Sequence, residues 1–196
     1  DTINEAIAAC FDGDTIIVKR GTHKGQVRFD GRGAILTSED PDSSECVAST
    51  ILQGEGVSVV VFGGDETGDQ TALRGLTITG GIGGIATPGG GISGRGTLAA
   101  VVRCVIIENS STTHGGGVNG VYGTITQCVV TKNIATTHGG GLYNCQGAVV
   151  NCLIVSNTAG SYGGGLYDCD GAITHCTIVS NKAVTTGGIA HAAGDV

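Results

Sequence analysis

Several residue types and patterns are scarce or absent in this 196-residue chain, and each absence excludes a class of protein. With two prolines and no collagen-like triplet period, neither a proline-rich disordered segment nor collagen fits the composition. Lysine and arginine total 10 against 17 aspartates and glutamates, and they form no cluster, which disfavours nucleic acid and anionic membranes as partners. No apolar run reaches about 18 residues, so no transmembrane helix is predicted.

Large side chains are also rare, whereas glycine and β-branched residues are abundant. Tryptophan and methionine are absent and aromatic residues make up 4% of the chain, but 37 residues are glycine and 40% are hydrophobic. This composition predicts a long, narrow core lined by valine, isoleucine, leucine and cysteine.

A repeat recurs every 24 residues in the second half of the chain. Four segments each begin with a cysteine and end with an asparagine; they are Cys104–Asn109 (CVIIEN), Cys128–Asn133 (CVVTKN), Cys152–Asn157 (CLIVSN) and Cys176–Asn181 (CTIVSN). Glycine triplets follow three of them, at 115–117, 139–141 and 163–165. A fixed period of this length predicts a solenoid.

Three short strands with their turns use about 24 residues, which suggests one coil of a parallel β-helix per repeat. Equivalent side chains then stack in columns about 4.8 Å apart. Three apolar columns are predicted for the core: Val101, Ile125, Val149 and Ile173; Ile106, Val130, Ile154 and Ile178; and Val118, Leu142 and Leu166. Asn109, Asn133, Asn157 and Asn181 form a polar column at a turn, where amides can bond one another and asparagine tolerates a left-handed conformation.

The chain is predicted to form a single domain, 1–196, with three zones. Residues 1–13 carry a Thr2-x-x-Glu5 capping box and form a short helix that covers the open end of the first coil. Irregular coils follow over 14–72, and regular repeats over 73–196. We expect the domain to be part of a longer chain or to polymerise.

These residues resemble a known group of proteins over nearly the whole chain. The pairing of GGGV or GGGL with I/V-x-x-N is similar to the GGA[ILV] and FxxN repeats of polymorphic outer-membrane proteins. The opening INEAIAACFDGDTIIVKRGTHKGQVRF and the later LRGLTITGG resemble secreted bacterial β-helices with a pectin-lyase-like fold. The resemblance implies an all-β, right-handed parallel β-helix located outside the cell or on its surface. Glycine replaces alanine, and an aliphatic residue replaces phenylalanine, in the repeat motifs.

Eight cysteines in a chain of exported type suggest disulfides. The stacked column of Cys104, Cys128, Cys152 and Cys176 is better interpreted as buried free thiols, because parallel side chains keep the Cβ atoms slightly too far apart for a bridge. Two bridges are predicted elsewhere, Cys145 with Cys169 and Cys10 with Cys46. No C-x-x-C zinc signature is present.

Acidic residues offer two candidate sites. Asp168 and Asp170 lie two apart near a turn, either as a glycosidase-like carboxylate pair or as a solvated pair. The loop 64–69 (GDETGD) either holds calcium or is simply an acidic surface loop, since it lacks the spacing of an EF-hand. No other cofactor is expected.

Two further pairs lie one period apart. His114 and His138 are either a metal site or a stack, although the next column position is Tyr162. Tyr143 and Tyr167 either contact a sugar ring or a partner protein, or stack on the wall of the solenoid.

Two function classes remain. The first is a non-catalytic extracellular structural or surface module, such as a filament subunit, stalk or adhesin, that assembles end to end through open β-edges. The second is a carbohydrate-active enzyme or glycan-binding β-helix. A pectate-lyase-like site needs calcium-binding carboxylates and a basic residue close together, and Arg103, Lys132 and Lys182 are scattered in sequence. The first class is therefore preferred.

Overall fold

A computed structural model, which describes residues 2–192, confirms the predicted all-β parallel β-helix with a short N-terminal helix. Every strand pairing is parallel, and each strand pairs with its equivalent in the next coil. The coil has four sides rather than the three expected, because an additional narrow sheet, named sheet 3 below, follows the asparagine column.

The chain passes through sheets 1, 2, 3 and 4 in that order in each regular coil. Sheet 1 contains Asp14–Val18, Ala34–Ser38, Ala72–Arg74, Ala100–Val102, Ile125–Thr126, Val149–Val150 and Ile173–Thr174. Sheet 2 contains Gly21–Lys24, Thr50–Gln53, Thr77–Thr79, Val105–Ile107, Val129–Thr131, Leu153–Val155 and Thr177–Val179. Sheet 3 contains Ile82–Gly83, Ser110–Ser111, Ile134–Ala135 and Thr158–Ala159. Sheet 4 contains Val27–Arg28, Val60–Val61, Ile92–Thr97, Val118–Val121, Leu142–Tyr143, Leu166–Tyr167 and Ile189–Ala190.

Helix α1, Ile3–Ala9, is held at its start by the predicted capping box. The Glu5 backbone N–H donates to Thr2 Oγ1 at 3.2 Å, and the Thr2 N–H donates to Glu5 Oε2 at 2.7 Å. Ile7 is buried in the core of the first coil. The helix therefore lies against the N-terminal end of the solenoid, as predicted.

A second helix, α2 at Ser44–Ser49, was not predicted. Its N-cap Ser43 accepts the Cys46 N–H, and Val47 packs toward sheet 2, where Thr77 Oγ1 donates to the Val47 carbonyl at 2.8 Å. Six residues are too few for a helical periodicity to stand out in the sequence, so tertiary contacts must supply most of its stability.

The two parts of the solenoid differ in the number of residues per coil. Paired residues lie 37 apart for Ile35 and Ala72 and 28 apart for Ala72 and Ala100, whereas Val101 and Ile125 lie 24 apart, at the period of the repeat. All three predicted apolar columns are confirmed in register, and their members are fully buried apart from the last coil, where Ile178 is half-buried.

Candidate functional site

The regular coil turns its corners on single left-handed residues. One column of corner residues directly precedes the cysteines: Arg103, Gln127, Asn151 and His175. A second column directly precedes the asparagines: Glu108, Lys132, Ser156 and Ser180. All of these residues have φ between 52° and 59°. The expectation that asparagine itself takes the left-handed conformation is wrong: the residue before it does. Since that residue turns the chain, the next side chain points into the core.

The asparagine column is a continuous buried ladder. The backbone N–H of Asn109 donates to Asn133 Oδ1 at 3.0 Å, and the same bond joins Asn133 to Asn157 at 3.0 Å and Asn157 to Asn181 at 2.9 Å. Each Nδ2 also donates to a backbone carbonyl of the preceding coil; for Asn133 that carbonyl is Ile106, at 2.9 Å. These side chains satisfy corner groups that would otherwise be buried without a partner.

The glycine triplets make room for this ladder. A Cβ on Gly141 would lie 2.6 Å from the Gly165 carbonyl oxygen and 3.2 Å from Asn157 Nδ2. Gly139, at φ +63°, forms a further left-handed corner. The backbones of successive coils therefore pack closely at the triplets. In the last coil only Gly187 and Gly188 remain of the triplet, and Ile189 pairs with Leu166 one residue short of the period.

The stacked cysteines are free, as preferred for that column; Cys104, Cys128 and Cys152 are buried, and Cys176 is partly buried. Their thiols bond to backbone carbonyls, and Cys128 Sγ, for example, donates to Thr126 O at 3.3 Å. Burial raises the pKa of the Cys104 thiol to about 12.

The two predicted disulfides are not formed, since all eight cysteines are free. Cys10 Sγ donates to the Ile7 carbonyl at the end of α1, whereas Cys46 is a buried residue of α2, beside Thr50. Cys145 and Cys169 occupy equivalent positions, but each thiol points along its own coil and donates to the carbonyl two residues earlier. Sequence spacing identifies stacked cysteines without showing which way the sulfurs point.

The histidines and tyrosines form one block of stacked rings. Ring centroids are 5.2 Å apart for His114 and His138 and 5.7 Å for Tyr143 and Tyr167. The columns also stack on each other, with His114 4.4 Å from Tyr143 and His138 4.6 Å from Tyr167. Because the faces of Tyr143 are covered by His114 and Tyr167, a sugar ring cannot lie flat on it. Tyr143 therefore offers its ring edge and hydroxyl to a partner.

The two histidines do not converge on a shared metal position. Their rings lie face to face with an interplanar angle of 12°, so their nitrogens point alongside each other. His114 Nδ1 lies 2.5 Å from Thr137 Oγ1, whose hydroxyl hydrogen is donated to the Thr113 carbonyl, so the ring nitrogen is the donor. Burial, and the nearby His138, lower the pKa of His114. Among residues 2–192, no set of three or more histidine, cysteine or acidic side chains is arranged to hold a metal ion.

The acidic loop 64–69 is organised around an inward-pointing carboxylate. Glu66 is 2% exposed; its Oε1 accepts the N–H groups of Gly31 at 3.0 Å and Gly63 at 2.5 Å, and its Oε2 accepts that of Gly64 at 2.9 Å. With its oxygens occupied by backbone donors, Glu66 fixes the loop to the neighbouring coil. The geometry favours a structural role for this carboxylate over calcium binding.

The remaining charged candidates lie at corners. Asp168 is itself a left-handed corner residue, and Asp170 is exposed beyond the inward-pointing Cys169. Arg103 forms an ion pair with Asp42 at 2.8 Å, and Lys132 pairs with Glu108 at 3.2 Å. Both basic side chains therefore stabilise the coil surface.

The two ends of the solenoid differ. Asn4 of α1 occupies the edge of the first strand of sheet 4, where Nδ2 donates to Gln26 O at 2.8 Å and Oδ1 accepts the Arg28 N–H at 2.9 Å. A groove of about 530 Å³ remains between α1 and the first coil. At the other end, the core residues Ile178 and Ile189 are only partly buried.

Comparison of the chain with protein-family models, with curated proteins and with solved structures yields no match. Within residues 2–192, neither helix has the length and apolar character that a membrane-crossing helix requires.

Proposed function

We propose that the chain is a non-catalytic structural module, the rod-like part of a protein displayed outside the cell as a stalk, filament subunit or adhesin. The observation that carries this proposal is the inward direction of the repeated polar side chains. Asn109, Asn133 and Asn157 are at most 1% exposed and bond to one another and to the backbone. A repeat whose constant 24-residue spacing serves internal bonds contributes stiffness, since each coil is joined to the next along its corner as well as along its sheets.

The outer surface supports the same proposal. Arg103 and Lys132, two of the basic residues that a lyase-type site in the repeats would need, are held in ion pairs with carboxylates. The stacked tyrosines present edges to solvent. The extracellular location is supported by the likeness of the GGGV and GGGL repeats to polymorphic outer-membrane proteins and of the opening to pectin-lyase-like β-helices.

Assembly is proposed to occur through the C-terminal coil, with a second copy of the chain as the partner. Thr177–Val179 is the last strand of sheet 2, and partly buried Ile178 and Ile189 lie at the same end. Exposed strand edges and apolar ends favour association. Because Asn4 of α1 occupies the edge of sheet 4 at the N-terminal end, filaments in which every copy joins head to tail require α1 to move aside.

Electron microscopy with light scattering of the purified 196-residue chain tests the proposal. We expect rods that pair end to end as concentration rises, and no release of unsaturated sugars from acidic polysaccharides. Ile178→Lys should abolish pairing, whereas Ile134→Lys, an exposed side-wall position, should leave it intact. Discrete particles that cleave polysaccharide would overturn the proposal and favour the carbohydrate-active alternative.

A further inference from the structure

The four thiols of the cysteine column share one side-chain conformation. Each Sγ donates to the carbonyl two residues earlier in its own coil, at 3.4 Å for Cys104 and at 3.3 Å for Cys128, Cys152 and Cys176. Because the same bond recurs in every coil, the sulfurs repeat with the spacing of the strands, which is about 4.8 Å.

That spacing is far longer than a disulfide bond of about 2.05 Å. It matches a metal ion held in line between two thiolates, since two metal–sulfur bonds of about 2.3 Å span about 4.6 Å. Zinc does not suit the column, because it takes four ligands in a tetrahedron. Soft monovalent ions prefer thiolates and accept two of them in a linear arrangement.

Backbone N–H groups also point at two of the four sulfurs. The N–H of Cys128 points at Cys152 Sγ at 3.5 Å, and the N–H of Cys152 points at Cys176 Sγ at 3.5 Å. Such donors stabilise a thiolate once the thiol proton has left. Access is easiest at Cys176, which is only partly buried, whereas Cys104 and Cys128 are 1% exposed.

We propose that the column formed by Cys104, Cys128, Cys152 and Cys176 binds soft two-coordinate cations, Cu(I) or Ag(I), between the sulfurs of successive coils. Four stacked thiols hold at most two such ions at once, because ions on both sides of one sulfur would require that sulfur to bond two metals in opposite directions. Each ion releases two thiol protons to solvent and leaves one net negative charge at its position. No atom changes oxidation state. Cys145 and Cys169, whose thiols repeat in the same way at another corner, offer one more position.

Titration of the reduced 196-residue chain with silver nitrate in chloride-free buffer, followed by native mass spectrometry, tests this proposal. We expect up to three ions per chain and a rise in melting temperature, since an ion that binds the native state stabilises it. Cys152→Ala should lose one ion, because Cys104 and Cys128 are then the one neighbouring pair left in the column. Cys46→Ala removes a buried thiol outside both columns and should lose none.

Circular dichroism of each variant shows whether it is folded. If Cys152→Ala is unfolded, Cys104→Ala, at the end of the column, should lose one ion and retain the others. The proposal is overturned if Cys46→Ala loses as many bound ions as the column variant, or if the melting temperature falls as silver is added. Either result would mean that the ions bind individual thiols or the unfolded chain.

Discussion

The irregular N-terminal coils and the regular repeats build the same cross-section by different means. In the first, Phe29 and Phe62 stack at 4.5 Å inside the coil, and the Glu66 carboxylate joins two turns. In the second, the same few contacts recur at each 24-residue step. When a contact that occurs once is removed, no equivalent contact remains elsewhere in the molecule. The stability lost on removing one of the repeated contacts should depend only on how far its coil lies from the end of the solenoid. The predictions below test this difference.

The largest effect is expected from Asn133→Ala, in the middle of the ladder. The change leaves the Asn109 N–H and the Ile106 carbonyl without their buried partner, at roughly 1–3 kcal/mol for each group. We expect a loss of about 3–5 kcal/mol in the free energy of unfolding by urea denaturation. Asn181→Ala, at the half-buried end, should cost roughly half as much. Equal costs would mean that position along the ladder does not matter.

Phe62→Ala removes half of the only phenylalanine stack in the irregular coils. The residue is fully buried, so a loss of about 3–5 kcal/mol is expected in the same assay. Phe11→Ala is the matched control, because Phe11 is 81% exposed and its truncation should change stability by less than about 0.5 kcal/mol. A tolerated Phe62→Ala would show that the stack can be replaced after all.

Glu66→Gln keeps the size of the side chain but replaces one acceptor oxygen with an amide donor. At least one glycine N–H then lacks its charged acceptor, and we expect a loss of about 1.5–3 kcal/mol in thermal or urea unfolding. Glu108→Gln, an exposed member of an ion pair with Lys132, is the control and should cost less than about 1 kcal/mol. Similar costs for the two changes would contradict the account of the loop.

Alkaline pH should weaken the repeats through the cysteine column. Burial raises the pKa of Cys104 to about 12, so above the ordinary thiol range the unfolded chain loses a proton that the folded chain keeps. The stability that this thiol contributes is complete below about pH 8.5 and is lost as the pH rises toward 12. Denaturation curves between pH 8 and 11 should therefore fall less steeply for Cys104→Ala than for the wild type. Parallel curves would exclude this origin.

The smallest effect concerns the corners. Ser156 has φ +59°, which costs a residue other than glycine about 1 kcal/mol, so Ser156→Gly should be neutral or stabilise the protein by up to about 1 kcal/mol. Ser110 lies in a strand of sheet 3, where the same substitution should destabilise by about 0.5–1 kcal/mol. Melting temperatures of the two variants should move in opposite directions. A shift in the same direction would show that corner strain is unimportant.

The period alone was enough to predict the fold class, the apolar columns and the pairing of the asparagines. It could not show that Glu108, Lys132 and Ser156 take the left-handed conformation, because no shared residue type marks that corner. In the coil before the first cysteine-to-asparagine segment the same corners are glycines, Gly75 and Gly80, and aligning these with the later corners would have revealed them.

Contacts made once were the hardest to predict. The inward turn of Glu66 depends on backbone N–H groups from Gly31, 35 residues earlier, which leaves no pattern in the sequence. The predicted Cys10–Cys46 bridge is absent because the two residues lie in separate surroundings, one at the end of α1 and one on the buried face of α2. Spacing predicts which residues are equivalent between coils, and it gives no such information outside the repeat.

Hydrogen exchange of the asparagine backbone amides, followed by NMR, tests the central claim that the corner ladder joins the regular coils. The amides of Asn109, Asn133 and Asn157 donate to the asparagine of the next coil, so they should exchange among the slowest in the protein. Asn181, the last member of the ladder, should exchange much faster. Rapid exchange at Asn133, at the rate of an exposed turn, would contradict the account.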